Sequence, residues 1–296
     1  MLALPRPWTA IANSMALPAG LLLVGVVLVG LQLNLPDITG RSAAMAGPAI
    51  VTLAPADFIY RPDGSFVREG NAIDAPLLKT RLPAPLTIMQ FQVGDADYAR
   101  CVTQGACAPA APQNVGQGDI PVTGVNYEDA IRYAGWLSRQ TGQTWTLPTD
   151  REWAFAAGAN RPDEALGVDD SANPALRWLA DYELEAKRKT ASGRMPLPLG
   201  SFGTNEHGVA DIAGNVWEWT QTCHRRVQVD AAGVILTETP ACSIRVLDGQ
   251  HRAPMSVFVR DAKSGGCSVG TPPANFGFRL VRRPSWTEQL RTMLHI

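Results

Sequence analysis

An α+β fold rich in loops is the class that this sequence predicts, and three observations point to it. Glycine and proline are frequent, 27 and 23 in 296 residues, yet they follow no repeat, which places much of the chain in turns and irregular connections. Clear helical periodicity is confined to a few short stretches. Residues 211–220, DIAGNVWEWT, instead alternate Trp217 and Trp219 with Val216 and Glu218, the period-two pattern of a strand whose two faces differ. Gly214 and Asn215 tolerate turn geometry, so the stretch predicts a tight turn entering a buried strand. A buried carboxylate at Glu218 needs a partner, either a metal or an ion pair. With 46% hydrophobic residues the chain can bury a full core, as one large domain or two small ones. A formal net charge of −1 offers no surface for a polyanion, which argues against nucleic acid as a partner.

In chain order, residues 16–35 form an almost continuous apolar run, preceded by Arg6 and no acidic residue. The run is apolar on every face and long enough to cross a bilayer as a helix. An uncleaved anchor with a cytoplasmic N-terminus is favoured over a cleaved signal peptide, for which Ala44-Met45-Ala46 offers a small-x-small site. Either alternative sends the chain after about residue 47 out of the cytoplasm. Pro62-Asp63-Gly64 is a turn signal between the short apolar runs at 57–60 and 65–67 and predicts a hairpin. Residues 86–93, LTIMQFQV, read as a strand, and residues 95–102 as a short helix.

Cys101 and Cys107 have the spacing of a local disulfide in an oxidising compartment. The total of five cysteines is odd, and one further bridge is expected among Cys223, Cys242 and Cys267. Asn126 caps a helix over about 127–140, with Glu128 and Asp129 in its first turn, Tyr127, Ile131, Ala134 and Leu137 as its apolar face and Gly142 as its stop. Thr149 and Glu152 form a capping box for the next helix, which turns Trp153, Ala156 and Ala157 inward. Residues 160–201 read as irregular, with a solvated polar patch at 183–189. So much loop in one domain calls for disulfides or bound calcium to hold it.

Three motifs now coincide: IPVTGVNYEDAIRYAGWLSRQTGQTWTLPTDREWAFAAGA at 120–159, GVADIAGNVWEWT at 208–220 and NFGFRLVRRP at 275–284. In wording and order they resemble the formylglycine-generating enzyme, or sulfatase-modifying factor, family. The resemblance covers residues 82–284 and implies a single loop-rich α+β domain related to the C-type lectin fold, with calcium inside it. The implied organisation is a cytoplasmic N-terminus at 1–15, an anchor or signal segment at 16–35, a linker with a hairpin at 36–81, the domain at 82–284 and a tail at 285–296. Asn215, Val216 and Glu218 match the place where the family binds a structural calcium, a hard cation suited to amide, carbonyl and carboxylate oxygens. A second family calcium site falls at 173–182, where ALRWLADYELEA has no matching asparagine. Arg279 in NFGFR matches a structural position that braces the strand.

The active region departs from the family. Its enzymes carry two cysteines that bind copper and oxidise a substrate cysteine, whereas residues 246–261, VLDGQHRAPMSVFVRD, contain none. Gly249 keeps the first family glycine, His251 stands near the family serine, and the cysteine positions fall at 254–258. Without thiolate ligands, formylglycine generation by the family route is not expected. The four histidines, one of them His295 in the tail, also match poorly a family variant with a three-histidine iron site. Catalytic candidates in this pocket are His251, as acid or base, Arg252 and Arg260, as a clamp for carboxylate or phosphate, and Asp261 and Cys267. An ion pair between Arg260 and Asp261, with Cys267 in a disulfide, is the structural alternative. The segment 251–284 further resembles the subgroup associated with copper nitrite reductases. That implies a periplasmic accessory role with such a redox enzyme as partner, and His251, Met255 and Cys267 as a transient copper(I) site. A diverged oxidoreductase and a lectin-like binding module are the alternatives.

Overall fold

The computed structural model describes residues 45–111, 119–163, 165–168, 173–189, 195–261 and 275–285. Twelve strands among them form three sheets. A four-stranded sheet takes β1 (Ile50–Leu53), β6 (Leu86–Met89), β12 (Val281–Arg283) and β7 (Thr144–Thr146) in that order. A larger sheet has the order β10 (Ala253–Ser256), β9 (Ile235–Asp248), β8 (Trp217–Val229), β3 (Ser65–Arg68), β4 (Asn71–Ile73), with β11 (Phe276–Gly277) also paired to β8. Strands β2 (Asp57–Tyr60) and β5 (Leu78–Arg81) pair with each other. Four α-helices accompany them: α1 (Asp95–Thr103), α2 (Tyr127–Thr141), α3 (Asp150–Ala157) and α4 (Pro174–Lys189). The predicted membrane run at 16–35 lies outside the described residues; among those described, no helix is long and apolar enough to cross a membrane.

The predicted cap signals are all used. Asn126 accepts from the Asp129 N–H while the Asp129 carboxylate accepts from the Asn126 N–H, a reciprocal box that Asp closes here in place of Glu. Gly142 ends α2 in the left-handed conformation, φ 67°, which costs glycine little. Thr149 and Glu152 cap α3 the same way. Both expected bridges are present, Cys101–Cys107 and one from the later cysteines, Cys223–Cys242. Cys267 lies outside the described residues.

Four expectations are corrected. The runs at 57–60 and 65–67 do not form a hairpin: β2 pairs with β5, whereas β3 pairs with β4 and, in parallel, with β8. Phe58 packs edge-on against Phe155 while Phe66 joins Val227 and Val229, so two separate apolar clusters draw the strands apart. Residues 50–81 are accordingly not a linker; β1 and β3 are built into the two larger sheets. The segment 160–201 is not wholly irregular, because Pro174–Lys189 is helical and Pro174 suits a first helical turn. The apolar stripe of α2 is also rotated: Ile131 is 39% exposed whereas Tyr133 and Trp136 are 3% and 1%, because the rings offer more apolar area to bury.

The main core gathers Trp136, Trp145, Trp217, Trp219, Tyr133 and Phe278; a second gathers Trp153, Phe155, Ile88 and Val281. Between them stands Glu218, fully buried, its two oxygens receiving Arg279 Nε at 2.6 Å and Nη2 at 2.7 Å, Gln92 Nε2 at 2.8 Å and Trp153 Nε1 at 2.9 Å. Arg279 also donates to the carbonyls of Gln90 and Ala210 at 3.1 and 3.0 Å. Both faces of the DIAGNVWEWT strand are therefore buried, with the carboxylate matched by a bidentate guanidinium.

Replacing Arg279 by Met leaves that carboxylate buried without its cation. The unfolding free energy from urea titration is expected to fall by about 3–5 kcal/mol, and adding Glu218→Gln is expected to restore part of the loss.

Candidate functional site

The turn into β8 is held by unusual backbone. Asp211, Ala213 and Asn215 have φ of 55°, 60° and 54°, a region that non-glycine residues enter only when the surroundings hold them there. The Asp211 carboxylate accepts the N–H groups of Gly200 and Phe202 at 2.5 and 2.8 Å. The Asn215 amide closes a two-way bridge with Leu197, accepting its N–H at 2.9 Å and donating to its carbonyl at 2.8 Å. These contacts decide how the predicted calcium position fits. Asn215 is occupied by backbone, Glu218 by four N–H donors, two of them from one guanidinium, and Val216 is buried. A calcium ion needs six or more free oxygens, and a cation here would have to displace Arg279. The residues present do not fit calcium; the ion pair takes its place.

The second predicted region, residues 246–261, contains β10, which pairs with β9 in the register Met255 to Arg245. At Gly249 a Cβ would stand 2.7 Å from Trp217 Cδ1, so the chain can pass the indole only as glycine. His251 is buried, its carbonyl accepting from Trp217 Nε1 at 2.9 Å and its ring edge-on to that indole. Met255 is also buried, in the main core.

The two arginines predicted as an anion clamp are both engaged internally. Arg260 meets Asp129 through two 2.9 Å contacts and donates to the Pro109 carbonyl. It therefore pairs with Asp129 in place of the expected Asp261. Arg252 donates to the Arg61 carbonyl at 3.0 Å and lies 3.4 Å from Asp248 Oδ1. Its Nη2 is 3.0 Å from Asp150 Oδ1, close enough for an ion pair but not aligned as a hydrogen bond. Burial pushes the Asp150 carboxyl above its ordinary range, the Arg252 charge opposes this and the neighbouring Asp63 charge adds to it. Of the predicted catalytic set the structure thus buries His251 and pairs Arg252 and Arg260; Cys267 lies outside the described residues.

A site that the sequence did not announce lies where β1, β2 and α3 meet. A cleft of about 560 Å³ is lined by Leu53, Phe58, Phe155, Arg161, Glu206 and His207, among others, within the size range of small-ligand and peptide-anchor pockets. Phe155 stacks on His207 and meets Phe58 edge-on, with ring centroids 5.8 and 5.0 Å apart. Glu206 accepts the Ala159 N–H at 2.8 Å. Arg161 lies 5.7 Å from the Tyr60 ring centre, and burial together with the Arg252 charge lowers its basicity. Three distant segments, 52–59, 154–161 and 206–207, supply these groups, and no single one carries a recognisable motif.

A protein-family model described as the sulfatase-modifying factor enzyme 1-like domain matches residues 41–284. The chain is 31% identical over 188 residues to the formylglycine-generating enzyme of Mycobacterium tuberculosis, covering 55% of this chain and 58% of that one. It is 30% identical over 109 residues to the inactive C-alpha-formylglycine-generating enzyme 2 of Mus musculus, covering 36% and 33% respectively. The matched stretches therefore span between about a third and three fifths of these relatives. Among solved structures, PvdO from Pseudomonas aeruginosa superposes with a TM-score of 0.51 at 21% identity, over 80% of this chain and 95% of that one, a likeness of fold.

Behind the cleft, burial reinforced by the negative Asp150 raises the Tyr60 phenol from 10.0 to about 12. The native state thus holds that proton more tightly than the unfolded chain, so its contribution is intact below the ordinary phenol range and is lost as pH climbs through the raised value. Wild-type protein is expected to lose on the order of 2 kcal/mol more stability than Tyr60→Phe across this alkaline window, read from urea titrations at its two ends.

Proposed function

The chain belongs to the family of sulfatase-modifying factor enzyme 1-like domains, and from that premise we propose that it is an exported accessory protein. It assists a periplasmic copper nitrite reductase, or another respiratory redox enzyme, and does not itself generate formylglycine. One observation carries this: the segment where the family's oxidising thiols stand contains no cysteine and is occupied by a paired strand with Met255 in the core. Thiol oxidation by the family route needs a pair of thiolates at that place. The similarity to a relative named as inactive is consistent with a scaffold that outlives the reaction.

Two disulfides among the described residues suit an oxidising compartment, which supports export, with residues 16–35 as the anchor or signal. The copper site at His251, Met255 and Cys267 belongs to the proposal on donor chemistry alone. Recognition of the partner is assigned to the aromatic cleft, where Phe58 and Phe155 offer an apolar anchor site and Arg161 a cation. The oxidoreductase alternative is weaker, because Arg252 and Arg260 are already matched by internal carboxylates.

The test has two arms. Purified protein given copper(I), oxygen and a cysteine peptide of sulfatase type is expected to leave the cysteine unconverted by mass spectrometry; conversion would overturn the proposal. Deleting the protein from a denitrifying host is expected to lower the activity or copper content of the nitrite reductase, and Phe155→Ala is expected to fail to restore it. An unaffected reductase would remove the accessory role.

A further inference from the structure

The large sheet has one face against Phe66, Val227 and Val229. Its opposite face, near the start of β3, is open and carries a cluster that the accessory role does not use. Asp63 and Gly64 form the turn that delivers Ser65 to the first position of β3. Gly64 has φ 140°, and a Cβ there would stand 3.0 Å from Arg225 Cγ, so this turn depends on glycine. The parallel register sets Ser65 opposite Arg226 of β8. Because side chains alternate along a strand, His224 and Arg226 share one face, while Arg225 turns to the other and donates from Nε to the Asp63 carbonyl at 3.0 Å. The Cys223–Cys242 bridge ties β8 to β9 directly beside His224.

The result is a relay of three side chains. His224 Nδ1 lies 2.9 Å from Asp63 Oδ2, and His224 Nε2 lies 3.2 Å from Ser65 Oγ. Asp63 is 5% exposed, the His224 side chain 19%, and Ser65 is exposed. A buried carboxylate that accepts Nδ1–H leaves the Nε2 lone pair facing the serine hydroxyl, which is the tautomer a general base requires. Such a constellation is recognised by geometry and roles on unrelated folds.

We propose that Ser65, His224 and Asp63 form a nucleophilic site that cleaves activated carboxylic esters. Ser65 Oγ attacks the ester carbonyl carbon as His224 Nε2 takes the hydroxyl proton. The carbonyl π pair moves to oxygen, and the exposed Arg226 guanidinium, on the same face and in register with Ser65, supplies positive charge for that oxyanion. Collapse re-forms the carbonyl and breaks the bond to the alkoxy oxygen, which leaves as alcohol with the proton from Nε2. Water then attacks the acyl-serine, again giving its proton to Nε2, and the carboxylic acid departs as Ser65 regains its hydrogen. No oxidant or metal enters the balance. Asp63 is a positioning residue that holds the ring. The open face admits an extended or surface-borne acyl group.

A fluorophosphonate probe tests the nucleophile in the full-length protein. The expected result is a single adduct mapped by mass spectrometry to Ser65, absent in Ser65→Ala, a small exposed change that leaves the fold intact. His224→Gln is expected to slow labelling and p-nitrophenyl acetate hydrolysis by about a hundredfold. Asp63→Asn is expected to slow both by lowering kcat while leaving KM for the ester unchanged, because the carboxylate orients the ring without touching substrate. A purely structural Asp63 would leave kcat per folded molecule unmoved. No adduct at Ser65, or an adduct whose rate is the same in a folded His224→Gln variant, overturns the proposal.

Discussion

The structure depends above all on the buried ion pair between Glu218 and Arg279. Neither side chain touches solvent, so each charge has to be neutralised within the protein. Arg279 does this for Glu218 with two parallel hydrogen bonds, and its remaining donors reach carbonyls of Gln90 and Ala210. One guanidinium thereby joins the C-terminal strand segment, the turn after β6 and the approach to β8. Gln92 and Trp153 complete the carboxylate from two other directions, so the two large apolar clusters meet at a single polar point. That arrangement explains how a chain with long irregular connections holds one tertiary structure.

The same principle governs residues 246–261, the region that the sequence resemblance singled out. Arg252 lies among Asp150, Asp248 and the Arg61 carbonyl, and Arg260 against Asp129. A cation already matched by carboxylates gains little from binding an external anion, because the internal partner must first be given up. Buried Met255 and His251 complete a surface built for packing. The groups offered outward lie elsewhere, in the aromatic cleft beside α3 and on the open face at Ser65 and His224. One scaffold can carry different sites, since function resides in local constellations and not in the fold.

Local signals were legible. Asn126 and Thr149 each announce a helix through an oxygen that accepts an early N–H, an interaction closed within three residues. Cys101 and Cys107 lie close enough along the chain to bridge with little loop to close. Where the sequence misled, the deciding partner was far away. Glu218 suited a calcium as well as a cationic side chain until Arg279, 61 residues on, was seen to reach it. Arg260 has Asp261 beside it in sequence, yet its partner Asp129 is 131 residues away. The hairpin expected from Pro62-Asp63-Gly64 failed because Phe58 and Phe66 belong to different apolar clusters.

The sequence by itself determined the family-like fold, the helix caps, the local disulfide and the absence of thiols at 246–261, because each rests on residue type or short spacing. Only the tertiary structure decided which charges neutralise one another and which polar groups remain facing outward. Ion pairing depends on distance in space, and strands separated by more than 150 residues, such as those of Ser65 and His224, meet only when the sheet closes.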